Sequence, residues 1–157
     1  MKKFFQFSLL LSIVWFATAC SDAVRPFVGD YSYKISGTVT VDGKTKVLST
    51  EQGSLQLVRK DKNTVLMTFN ELGGDVYTAT GHISDSHISF TDTKRILHIA
   101  YTGESTVASV QYFDLTVAGE GEIQNETIVF SLTYYGEGLN DGTALTGKDI
   151  VCVAKQN

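Results

Sequence analysis

The chain has 157 residues, a formal net charge of −4, 43% hydrophobic and 19% charged residues, one proline and two cysteines. It is too long for one short motif and carries too few cysteines for a disulfide scaffold, so a single domain with an ordinary apolar core is expected. A mildly acidic chain without a basic cluster is a poor partner for nucleic acid, or for direct adhesion to an anionic bilayer.

The N-terminus has the layout of a secretory signal. Lys2 and Lys3 are followed by the mostly apolar Phe4 to Phe16 and by the small residues Ala17-Thr18-Ala19. The apolar run is interrupted by Gln6, Ser8 and Ser12 and is shorter than the roughly 20 residues of a membrane span. Two cleavages before Cys20 are open. Ala17-Thr18-Ala19 is an A-x-A site for the ordinary signal peptidase, which would leave Cys20 able to pair with Cys152. The same stretch with Cys20 resembles the lipobox of bacterial lipoproteins. That resemblance implies diacylglycerol on the Cys20 thiol, anchoring by acyl chains, and a protein of the outer membrane facing the periplasm or the exterior. Residues 1–19 are then signal peptide, 20–26 a lipidated tether ending at Pro26, and 27–157 the folded domain. Loss of Lys2 and Lys3 takes the formal charge from −4 to −6. Cys152, in Ile150-Val151-Cys152-Val153, reads as an inert core residue.

Beyond Pro26 the apolar period is two almost throughout. Tyr31, Tyr33, Ile35, Val39 and Val41 alternate with polar residues, and Asp42-Gly43 ends that strand with hairpin chemistry. Leu55 and Leu57 follow, then Val65, Met67 and Phe69 after the polar turn 60–63, then Gly73-Gly74. Tyr77, Ala79 and Ile83 lead to a two-residue turn, Asp85-Ser86, which sets Ile83 opposite Ile88. Phe90, the run 96–101, the set Phe113, Leu115 and Val117, the set Ile128, Phe130, Leu132 and Tyr134, and 150–154 complete about nine strands. Short connections predict an antiparallel up-and-down β-barrel of about 8–9 strands, since closure removes exposed edges.

Val28-Gly29-Asp30-Tyr31, leading into the long strand and Asp42-Gly43-Lys44, resembles the opening of the calycin-like (lipocalin-like) lipoproteins of Gram-negative bacteria. Tyr31 stands where the G-x-W motif of lipocalins has tryptophan; the one tryptophan here is Trp15. The resemblance implies an up-and-down barrel, with no particular ligand.

Period two predicts one buried face comprising Tyr33, Ile35, Val39, Leu55, Leu57, Val65, Met67, Phe69, Phe90, Phe113, Leu115, Phe130 and Leu132. Aromatic residues with polar handles suit a binding surface, and Tyr33, Phe69, Tyr77, Phe90, Tyr112, Phe130 and Tyr134 are the candidate ligand contacts. A filled core whose hydroxyls reach the rim accounts for the same residues. Other motifs carry less. Gly142 to Asp149 nearly spells a P-loop, but Asp149 replaces the hydroxyl residue and a strand follows instead of a helix, so a turn before the last strand is expected. His82 and His87 fall diagonally on the outer face of one hairpin, fewer ligands than a metal site wants. Glu120 and Glu122 flank Gly121 as a solvated pair, and no nucleophile motif appears. The expectation is a non-enzymatic, lipid-anchored barrel without metal or cofactor. It binds a small, mostly apolar ligand in the barrel mouth, or else is a protein-interaction or inhibitor module with a filled barrel and loops such as 136–147 as its working surface.

Overall fold

The computed structural model describes residues 22–72, 75–102 and 109–157. Among the described residues there are ten strands: β1 (Gly29–Ser36), β2 (Thr38–Val41), β3 (Lys44–Leu48), β4 (Glu51–Arg59), β5 (Thr64–Glu71), β6 (Val76–Ser84), β7 (His87–Thr102), β8 (Ser109–Gln124), β9 (Thr127–Gly138) and β10 (Ala144–Gln156). Every pairing is antiparallel. The sheet closes on itself through β1–β4–β5–β6–β7–β8–β9–β10 and back to β1, while the β2–β3 hairpin bridges β10 to β7. The all-β, barrel-like architecture follows from the period-two pattern, and closure satisfies backbone groups that an open edge would expose.

The strand boundaries depart from the sequence expectation for local reasons. The long first strand divides at Gly37, which holds φ 155° and leaves 3.2 Å between a hypothetical Cβ and the Ile150 Cα. Its far half becomes β2 and pairs with β3 through the Asp42-Gly43 turn, where both residues have positive φ. The runs around Ile88 and 96–101 belong to one strand, β7, bent where Phe90 pairs Gly119 and Thr93 pairs Val117. The last strand begins at Ala144, well before Ile150. A bulge at Lys148-Asp149, with Asp149 at φ 55°, lets the ladder resume at Ile150. The P-loop-like stretch is therefore mostly strand, entered from Gly142 at positive φ.

All thirteen residues of the expected inward face are buried. The turns spanning residues 23–27 join the core, where Val24 and Phe27 are fully buried. Those turns close through the Arg25 N–H donating to Asp22 O (3.1 Å) and the Phe27 N–H to Val24 O (3.0 Å). The fold thus takes in part of the span read as tether. Tyr31 beneath it donates its hydroxyl to Phe27 O at 2.9 Å, and burial pushes its pKa up to about 12. Outside, Arg59 pairs with Asp22.

The wall is not laced evenly. β6 and β7 pair only at His82↔Ser89, Ile83↔Ile88 and Ser84↔His87. Beyond that hairpin the two strands separate, and β7 is next joined on that side by β3, at Leu48↔Tyr101 and Val47↔Thr102.

Candidate functional site

Most of the aromatic set expected to contact a ligand meets in the interior. Phe69 stacks on Tyr77 at 4.6 Å between ring centroids with 15° between planes, and Tyr33 meets Phe69 edge-on at 5.7 Å. Phe90 lies 6.1 Å from both Phe69 and Phe130. Tyr134 is buried on β9. Tyr112 does not join them: it is 52% exposed, on the opposite face from its neighbour Phe113, as period two requires. Cys20 lies outside the described residues.

Several inward positions are glycines with no room for a methyl group. A Cβ on Gly119 would stand 2.5 Å from the Phe90 ring, one on Gly121 2.6 Å from Phe130, and one on Gly81 2.9 Å from both Met67 and Ile88. Large rings fill the space these glycines leave, which gives close packing without overcrowding. The interior turns polar toward Glu51 and Glu71: both Glu51 carboxylate oxygens and Glu71 Oε1 are buried, on the face shared with Ile35 and Gly53. A recess of about 220 Å³ between Ser49–Gln52, Glu71, Leu72 and Ala100 opens beside them.

A larger concavity lies on the outside of the wall. A groove of about 840 Å³ crosses β10, β1, β4 and β5, within the volume range of small-ligand sites. The ladder arranges its lining in two rows. Lys155, Ser32, Ser54 and Asn70 are successive cross-strand partners, and so are Val153, Lys34 and Gln52. Leu72, 87% exposed, extends the second row, its N–H donating to Gln52 O at 2.8 Å. Beneath the groove is Gly53. A Cβ there would run into the Asn70 carbonyl and stand 2.8 Å from the Tyr33 hydroxyl. The strands are therefore drawn together under a glycine that Tyr33 covers from inside.

Sequence reasoning missed this groove, because outward Ser, Lys, Gln and Asn read as a solvated face. The available signal was Gly53 within a strand, which marks a bend or close backbone approach. The carboxylates and histidines stay where the sequence put them. His82 and His87 are exposed on the outer face, with Glu122 opposite His87 and accepting from the Ser86 hydroxyl at 3.4 Å. Glu120 lies opposite Ser89. Among the described residues no three His, Cys, Asp or Glu side chains converge as metal ligands. A second, smaller outer recess of about 260 Å³ lies by Asp114, Thr116, Tyr135 and Glu137.

No family model and no curated protein matches the chain. Among solved structures, one described as a redesigned beta barrel is similar at 14% sequence identity and a TM-score of 0.42, over 87% of this chain and 96% of that one.

Proposed function

We propose that this chain is a non-enzymatic binding protein, anchored by acyl chains on Cys20 in a bacterial outer membrane, with a filled calycin-like barrel that takes its ligand on the outer wall. The observation that carries the reading is the contrast between the two faces of Gly53. Inward, Tyr33, Phe69, Tyr77, Phe90 and Phe130 pack on one another, and the Phe90 and Phe130 rings cover glycines that leave no room for a methyl group. Outward, polar side chains of four strands line a groove of about 840 Å³. A ligand that enters the groove displaces water from a preformed wall; one that enters the lumen must first displace packed rings, each of which contributes a few kcal/mol as buried apolar surface.

The rival reading, an apolar ligand among the interior aromatics, has one observation in its favour. Tyr77, stacked on Phe69, lies on β6 in the stretch that has no ladder partner on β7, so the wall beside that pair is not closed by backbone hydrogen bonds between the two strands.

Ser54→Trp separates the two. Ser54 is exposed in the middle of the groove, so the indole fills it and leaves the interior unchanged. Native mass spectrometry of the protein purified from its own cells should show a retained small molecule on the wild type and its loss from the variant. A molecule retained equally by both, in a folded variant, would rule out the groove.

A further inference from the structure

The two outward-pointing charged side chains in the groove are Lys34 and Lys155, an exception on a chain whose formal net charge is −4. Lys155 lies directly opposite Ser32, and Lys34 is two residues further along β1, so the lysines are diagonal neighbours on one face. Diagonal positions in an antiparallel pair have backbones about 7–8 Å apart, within reach of each other's long side chains. Among the described residues neither lysine forms an ion pair. The nearest carboxylate along β1, Asp30, accepts instead from the Gln56 side-chain amide at 3.0 Å.

Two like charges side by side repel, and an anion between them removes the repulsion while accepting from both ammonium groups. Away from the lysines the lining is Leu72, Glu71, whose Oε1 is buried, and neutral groups that both donate and accept: the Ser54 hydroxyl and the amides of Gln52 and Asn70. Such groups match a hydroxyl-rich scaffold and give little to a plain hydrocarbon.

Resting on the outer-groove reading, we infer that the ligand carries an oxyanion on a hydroxylated scaffold, as a sugar acid or a sugar phosphate does, with the oxyanion held between Lys34 and Lys155. The oxyanion sets affinity at the cationic end, and the hydroxyls set orientation over Gln52, Ser54 and Asn70.

The test is an amide chemical-shift titration of the full chain in detergent with four probes: glucose 6-phosphate, glucuronate, glucose and inorganic phosphate. Both acidic sugars should move the amides around Lys34, Gln52, Ser54 and Lys155, and glucose should bind at least about tenfold more weakly, the size of one charge-assisted contact. Comparison of glucose 6-phosphate with glucuronate tells phosphate from carboxylate, and inorganic phosphate tells whether the scaffold adds affinity. Lys34→Gln and Lys155→Gln should each weaken the better acidic probe by about tenfold and leave the fold unchanged, since both side chains are exposed. Glucose binding as well as its acids, unaltered affinity in the lysine variants, or no shift in the groove with any probe would each overturn the inference. If Ser54→Trp still removes the cellular molecule in those cases, the groove stands and only the oxyanion falls. If the molecule survives that substitution, the groove itself is wrong.

Discussion

Adding one methyl group at Gly121 tests how full the interior is. The new Cβ would lie 2.6 and 2.9 Å from two carbons of the Phe130 ring and 3.1 Å from Ile128 Cγ2. Ordinary carbon contacts begin near about 3.5 Å, so the ring must retreat by most of an ångström. Phe90 stands 6.1 Å from that ring, centroid to centroid, and Phe90 itself fills the place of a side chain at Gly119, so the displacement has nowhere to end cheaply. Overpacking of this kind costs about 1–3 kcal/mol. The opposing gain, reduced freedom of the unfolded chain on replacing glycine by alanine, is about 0.4–1 kcal/mol where the backbone accepts alanine. The net expectation is a loss of about 1–2 kcal/mol in urea-induced unfolding of Gly121→Ala. Phe130→Leu in the same chain should recover part of it, because a smaller side chain yields the space. A Gly121→Ala protein as stable as the wild type, or more so, would mean that the interior has slack and would refute the packing argument.

Phe130→Ala removes a fully buried ring and should cost about 3–5 kcal/mol, against about 0.5 kcal/mol or less for Val129→Ala, which is half exposed on the other face; paired denaturant melts measure both. Tyr31 has a pKa of about 12 in the fold against 10.0 for the free phenol, so its protonated form is favoured by folding. That stabilisation is complete below pH 10, falls as pH rises toward 12, and should be absent from the alkaline unfolding profile of Tyr31→Phe. Cys20→Ala should release the protein from the membrane fraction, and palmitate labelling that survives the substitution would contradict the anchor.

The inward face was legible because one rule governs it. Even spacing within each strand places Phe113, Leu115 and Val117 together, and Phe130 with Leu132, whatever the partners are. The same rule puts Tyr112 outside, and only its aromatic character argued for including it. The Asp85-Ser86 turn was legible because two residues of turn chemistry fix the register of the flanking strands, and Ile83 does lie opposite Ile88. Ladder partners distant in the chain were not legible. Lys155 meets Ser32, and β3 meets the end of β7, only once the ring is closed, so the β2–β3 bridge has no local signature and the groove has only the strand glycine Gly53. The bulge at Lys148-Asp149 hid the start of β10, because an extra residue breaks the alternation on which the strand was read.

The most direct measurement of where the ligand sits is a set of intermolecular nuclear Overhauser effects from the molecule that the protein retains from its own cells. A ligand on the outer wall should give contacts from its protons to Gln52, Ser54, Leu72 and the Lys34 side chain, with the interior rings unaffected. Contacts to the rings of Phe69, Tyr77 or Phe130 instead would place the ligand in the lumen and contradict a filled barrel that binds on its outer wall.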